Sequence, residues 1–240
     1  MNYYIDIHNH CLPNVDDGAK NKEESLEMLR CTYDQGIRDI IVTPHFKKIK
    51  RGRTKEEIQR KLREMQEALD NEKIDLKLHI GCELFYSSRS IEYLENNIIA
   101  TLADSSYILI EFYPDEEFRK IREATYELLA AGYVPILAHV ERYQYLSDLS
   151  KVVELIELGA LIQVNVASIL GKQGRKTTKY VNTLLKNRLV HFVATDAHDM
   201  DRRRPRLLEC VHYLEKKYGI EYADELCTLN PQKILKKCVE

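Results

Sequence analysis

The sequence predicts an α/β barrel, and three observations predict it. Seven short strands alternate with helices along 240 residues. The strands are apolar on both faces, as in a parallel sheet covered by helices, and none reads as an evident edge. Six of the seven end in His, Asp or Glu at the C-terminal side, where parallel barrel strands converge on a functional mouth. No repeat, linker or composition break divides the chain, so residues 1–240 read as one domain.

The opening stretch, Tyr3-Tyr4-Ile5-Asp6-Ile7-His8-Asn9-His10, alternates apolar residues and runs into His-x-His. Side chains two apart on a strand share a face, so His8 and His10 can reach a common point. Pro13 and Gly18 turn the chain and bring back a carboxylate, Asp16 or Asp17. Asn21 and its reciprocal Glu24 cap a helix through Gln35 that stops at Gly36. Residues 39–43 form the next strand and lead to Pro44-His45. A basic loop follows, with Lys47, Lys48, Lys50, Arg51 and Arg53.

Thr54 and Glu57 cap a second helix to about Asn71. Residues 76–80 alternate as a strand ending in Gly81-Cys82-Glu83, and a helical patch covers 91–96. Residues 107–110 end in Glu111, and a helix over 116–131 stops at Gly132. Residues 133–138 end in His139, with Glu141 and Arg142 just beyond. Ser147 or Asp148 caps a helix to Leu158 and Gly159. Residues 160–164 end in Asn165, and a polar segment over 171–176 precedes a helix to Asn187. The last strand, 190–195, ends in Asp196-Ala197-His198, and helices occupy most of 202–217 and the tail.

Composition narrows the class. Hydrophobic residues make up 44% and charged ones 31%, with nine Gly and six Pro, a globular balance without a disordered tail. A formal charge of -2 and a pI near 6.5 give no global field for nucleic acid or an anionic membrane. Asp6, His8 and His10 interrupt any signal-peptide core, and no apolar run approaches the roughly 18 residues of a membrane helix. The six cysteines are scattered without Cys-x-x-Cys spacing, which predicts free thiols in a reducing compartment, the cytoplasm.

The chemistry collects at the strand ends. Alone, His45 reads as a loop histidine, Glu83 as a solvated charge, Glu111 as a partner of a nearby Lys and His139 as a core histidine. Together with His8, His10, Asp196, His198 and Asp16 or Asp17 they make five imidazoles and four carboxylates. Two or three divalent ions can share such a set if carboxylates bridge. Neutral imidazoles with hard oxygens suit zinc, manganese or iron. Four carboxylates carry about −4 and three divalent ions about +6, which leaves a site suited to a phosphate dianion. By strand parity Cys11 and Cys82 point away from the ions, which argues against a thiolate site.

The motifs HNH…DDG, TPH, GCE, IEF, LAHVERY, QVNVASILG and TDAH resemble the PHP (polymerase and histidinol phosphatase) superfamily. More narrowly they resemble bacterial manganese-dependent protein-tyrosine phosphatases encoded with capsule and exopolysaccharide genes. The resemblance covers nearly the whole chain. It implies a distorted (β/α)7 TIM-like barrel with a three-metal centre of Mn2+, or of Fe, Zn or Mg. Carried over by position, the ligands are His8, His10, Asp17, His45, Glu83, Glu111, His139, Asp196 and His198. It further implies an in-line attack on phosphorus by a metal-bridging hydroxide, with Arg142 and Arg203 forking the phosphoryl oxygens. Arg202 and Arg204 flank the second arginine, and the alternative for the triplet is a solvated helix start.

Three basic groups, residues 47–53, 172–179 and 202–206, follow strand ends and are expected to rim the mouth, attracting an anionic phosphopeptide. The implied partner is a phosphotyrosine protein, the tyrosine-rich tail of a membrane-associated autokinase. A histidinol-phosphate phosphatase is the nearest rival, but the short loops leave little material for a deep pocket. A nuclease is disfavoured by the charge and the lack of Trp. A degenerate binding module is disfavoured by the full complement of ligand types. A cysteine-based phosphatase is excluded, because no Cys is followed by Arg six positions later.

Overall fold

In the computed structural model, which describes residues 3–48 and 53–236, parallel strands alternate with helices. The chain runs through β1 (Tyr4–Asn9), α1 (Lys22–Asp34), β2 (Ile37–Val42), β3 (His45–Phe46), α2 (Lys55–Asn71) and β4 (Lys77–Ile80). It continues through β5 (Glu83–Phe85), α3 (Ser90–Glu95), β6 (Tyr107–Glu111), α4 (Phe118–Ala130), β7 (Val134–Leu137) and α5 (Leu149–Leu158). Then come β8 (Leu161–Asn165), α6 (Val166–Ile169), α7 (Arg175–Lys186), β9 (Phe192–Ala194), α8 (Leu207–Tyr218), α9 (Ile220–Asp224) and α10 (Asn230–Leu235). Every strand pairing is parallel.

Among the described residues nine strands stand where the sequence predicts seven, because two staves of the barrel are broken. Pro44 has no N–H to give a ladder and separates β2 from β3. Gly81 separates β4 from β5, where a Cβ would lie 2.7 Å from Ile41 Cγ2 and 3.0 Å from Val42 O. Below the breaks the order is β1-β2-β4; above them it is β3-β5-β6-β7-β8-β9. The ends of the sheet meet through an Asn9–Ala197 bridge, with His10 N donating to Ala197 O at 2.9 Å and Asp196 N to His8 O at 2.9 Å. The result is a distorted TIM-like barrel of seven staves.

Two apolar cores hold it. Inside the barrel, Ile5, Ile7, Ile41, Leu109, Ile136 and Phe192 pack together, and Leu102 plugs the gap between β4 and β6. The larger core lies between the outer sheet face and the helices, and it takes in Met28, Leu29, Leu128, Leu155 and Leu184. Cys11 and Cys82 belong to this outer core, and Cys31, Cys210 and Cys227 are also free thiols. Cys238 lies outside the described residues.

The helix signals act as local chemistry dictates, with small shifts. Thr54 and Glu57 form the reciprocal capping box of α2. Asn21 caps α1 by accepting from Glu24 N, but Glu24 reaches back to Lys20 N instead of Asn21 N. Asp148 caps α5, which ends on left-handed Gly159. Helix α4 begins at Phe118, two residues later than expected. Residues 202–206 are irregular, so the arginine triplet is not a helix start and α8 begins at Leu207.

Candidate metal centre

Strict alternation along β1 would put His8 and His10 on the face opposite Ile5 and Ile7. The register shows how they share one. Asp6 pairs with Ile40 and Asn9 with Val42, so β1 spends three steps where β2 spends two. This bulge rotates the chain and brings both imidazoles over the barrel interior. Asp6, fully buried under the bulge, accepts from Asn9 Nδ2 at 3.0 Å, Thr195 N at 3.0 Å and Thr195 Oγ1 at 2.5 Å. Burial pushes the Asp6 carboxyl up, against these hydrogen bonds.

The other donors arrive on neighbouring stave tips. His45 on β3 pairs with Glu83 on β5, and Glu111 ends β6 beside Phe85. His139 and Asp196 follow β7 and β9 in left-handed conformations, with φ of 35° and 52°. Such backbone is rare outside glycine and persists where surrounding structure enforces it.

Donor atoms fall into three groups, each within 4.8 Å: His8, His10, Glu83 and Asp196; His10, Asp17, His45 and His198; and His45, Glu83 and Glu111. Glu83 is shared between two of them. His139 joins at the edge, its Nε2 2.7 Å from Glu83 Oε1 and 3.8 Å from Glu111 Oε2. All nine side chains singled out in the sequence therefore come together. Of the acidic pair, Asp17 faces the cluster, 3.3 Å from His45 Nε2 and 3.5 Å from His198 Nε2. Asp16 turns away to His10 Nδ1 at 2.8 Å and the backbone N–H groups of His45 and Gly18.

A supporting layer that the motif reading did not assign fixes ring orientation. Gln163 Oε1 accepts from His8 Nδ1 at 3.2 Å and from His139 N at 2.8 Å. Gln163 Nε2 donates to Asn165 Oδ1, and Asn165 Nδ2 to Asp196 Oδ2. His198 Nδ1 donates to Asp196 O. With each Nδ1 so engaged, the Nε2 lone pairs of His8, His10 and His198 turn inward, as metal-ligating histidines require. The only sequence trace of this layer is two buried amides on a strand that otherwise reads as apolar.

The electrostatics call for positive charge. Burial favours a neutral Glu83, yet His8, His10, His139 and His45 hold its carboxyl well below the usual range. Hydrogen bonds to His198 and His45 lower Asp17 likewise. Burial opposes a charged His10, but Asp16 and Glu83 outweigh it and raise its pKa to about 9. Burial lowers His198. Protons alone do not satisfy the site. Among the described residues, His139 Nδ1 is buried without a hydrogen-bond partner, and Glu83 Oε2 is met by His45 Nδ1 at 2.8 Å. His8 Nε2 and His10 Nε2 face each other at 3.1 Å while both approach Glu83 Oε2, at 3.2 and 3.3 Å. Lone pairs converging without enough protons fit divalent cations, and the imidazole–carboxylate mixture suits first-row ions.

Both expected arginines stand on Asp196. Arg142 Nη2 meets Oδ2 at 2.7 Å and Arg203 Nη2 meets Oδ1 at 2.7 Å, with the side chains 39% and 32% exposed. Arg204 instead lies near Cys31. Lys50 and Arg51 of the first basic group lie outside the described residues.

Fold and site together define a class: TIM-like β/α barrels whose strand tips gather a histidine–carboxylate cluster with the donor set of a metal centre. Within it, the chain belongs to the capsular polysaccharide synthesis family CpsB/CapC, which matches residues 4–236. It is 36% identical over 237 residues to the tyrosine-protein phosphatase CpsB of Streptococcus pneumoniae, covering 96% of this chain and 98% of that one. Its fold superposes with a TM-score of 0.90 and 34% identity on a structure reported with YwqE from Bacillus subtilis and CpsB from Streptococcus pneumoniae, described as unique metal-dependent tyrosine phosphatases. The alignment covers 96% of this chain and 94% of that one. An organophosphorus hydrolase variant from Deinococcus radiodurans, at TM-score 0.63 and 12% identity over 97% of this chain and 92% of that one, shares the fold alone.

Proposed function

We propose that this chain is a metal-dependent protein-tyrosine phosphatase of capsule or exopolysaccharide synthesis. The observation that carries the reading is the convergence of five imidazoles and four carboxylates, most of them buried, at the barrel mouth. The strong likeness to CpsB supports the substrate class. His8, His10, Glu83 and Asp196 would hold one ion. Asp17, His45 and His198 would hold a second, and Glu83, Glu111 and His139 a third. Manganese fits this hard-oxygen and imidazole set. Bound there, the ions supply Lewis acidity and an activated water at neutral pH.

The chain's own residues do the rest. Arg142 and Arg203 reach the mouth from two sides of Asp196 and are placed to fork phosphoryl oxygens as charge develops. Gln163 and Asp16 hold the His8 and His10 rings in register throughout. A tyrosine leaving group, with a pKa near 10, departs with less protonation than an alkoxide needs. The physiological substrate in this reading is the tyrosine-rich tail of a membrane-associated autokinase, reached from the cytoplasm by a single barrel domain. Free thiols support that compartment. Among the described residues, no helix is long and apolar enough to cross a membrane.

The test is hydrolysis of a phosphotyrosine peptide and of histidinol phosphate by protein that is stripped with chelator and reloaded with manganese. The peptide should be the better substrate, with activity lost on stripping and restored on reloading. His139→Ala and Asp196→Ala should each lose activity by about a hundredfold or more while keeping native circular dichroism. Near-normal turnover in either variant, or after exhaustive chelation, rejects the mechanism.

A further inference from the structure

Three side chains follow strand-tip donors by two residues: Phe85 on β5 after Glu83, Lys47 just past the end of β3 after His45, and Tyr113 just past the end of β6 after Glu111. On β5 two residues preserve the face and advance it by about 7 Å, which sets Phe85 one layer beyond Glu83. The pairing of Phe85 with Glu111 places the ring beside a donor of the adjacent stave. The three side chains touch. Phe85 and Tyr113 meet edge to face with centroids 4.5 Å apart, and Lys47 Nζ lies 4.2 Å from the Phe85 centroid and 4.5 Å from that of Tyr113. Lys47 also donates to Tyr113 Oη. Tyr113 is 49% exposed, so its ring is open to a ligand.

We propose that Phe85 and Tyr113, pinned by Lys47, form the wall that packs the aryl ring of the substrate and makes the site select aryl over alkyl phosphomonoesters. The inference rests on the phosphatase reading and adds the residues that set its specificity. With the phosphoryl group at the donors, an ester oxygen and a benzene ring span the step to this layer. An alkyl ester leaves the wall uncovered. Aromatic rings favour edge-to-face or offset contact with a further ring, and the Lys47 ammonium places positive charge where a phosphate dianion enters.

The experiment uses manganese-loaded protein with Phe85→Leu, Tyr113→Leu and Tyr113→Phe. It measures kcat/KM on phosphotyrosine and phosphoserine peptides of one sequence. Calorimetry measures binding of the non-hydrolysable phosphonomethyl-phenylalanine peptide. Each leucine variant should lower the aryl-over-alkyl preference roughly five- to tenfold and weaken the phosphonate peptide by a similar factor. Tyr113→Phe, which keeps the ring, should retain most of the preference. An equal fall on both peptides, or an unchanged ratio, overturns the proposal. If the wild type cleaves no phosphotyrosine, the function fails, and phosphonate binding still decides the wall: loss in the leucine variants supports it and no change refutes it.

Discussion

Gln163 shows how much of a metal site lies in residues that touch no metal. Its amide oxygen is the shared acceptor for His8 Nδ1 and the His139 amide, and its nitrogen continues through Asn165 to Asp196. Gln163→Leu removes that acceptor from two buried donors at once. Metal affinity measured by calorimetry should fall by about 10- to 100-fold, and stability by about 1–3 kcal/mol. Gln163→Glu keeps the acceptor and should recover part of the affinity. Unchanged metal binding in the leucine variant would mean that the His8 ring is held by its packing alone. The strand-tip donors were legible in the sequence because each follows the apolar run of a strand. Gln163 was not, since an amide on an otherwise apolar strand does not show which donors it will meet.

At the scale of elements, the loop from His10 to Ala19 decides whether Asp17 reaches the cluster. It closes through Ala19 N to His10 O at 3.1 Å and Asn14 N to Ala19 O at 2.9 Å. Gly18 sits against its own starting point, where a Cβ would lie 2.0 Å from His10 O and 2.7 Å from His10 Cβ. Backbone cannot yield as a side-chain tip can. Gly18→Ala should therefore cost about 2 kcal/mol or more in chemical denaturation and weaken ion binding by displacing Asp17 and His10. Gly132 offers the contrast. Its φ is +85° with nothing within 4 Å, so Gly132→Ala carries only the left-handed backbone cost of about 1–2 kcal/mol and should leave ion binding intact. Equal ion affinity in the two variants would show that the loop adapts.

For the whole molecule, ions and protons act on the same balance. A cation that binds the folded cluster and not the open chain stabilises by about 2.7 kcal/mol at a hundred times its dissociation constant. For a chain of this size, chelation should lower the melting temperature by roughly 5–10 °C, and manganese should restore it. An unchanged melting temperature would mean that the cluster binds no ion with useful affinity. His191, at the opposite end of the barrel, sets part of the acid limit. Its Nδ1 accepts from Ile162 N at 3.1 Å, and burial, with Lys233 nearby, lowers its pKa. Above about pH 6.5 the ring is neutral in both states and contributes no pH dependence. Below it the unfolded chain takes the proton first, so stability falls with pH until the folded ring also protonates. His191→Gln should flatten the stability curve just below about pH 6.5, by at most about 1.4 kcal/mol per pH unit. An identical slope in variant and wild type would assign the acid sensitivity elsewhere.

By itself the sequence determined the alternation of strand and helix, the parallel barrel, and which imidazoles and carboxylates stand at strand ends. Those follow from periodicity and from punctuation by Gly, Pro and capping residues, all of them local. Tertiary structure alone decided that Pro44 and Gly81 break two staves, because a break shows only against a neighbouring ladder. It also decided the β1 bulge that carries His8 and His10 inward, the turn of Asp16 toward His10, and the Gln163–Asn165 support beneath the cluster. Register belongs to a pair of strands and orientation to a set of neighbours, so neither is written in any one stretch of chain.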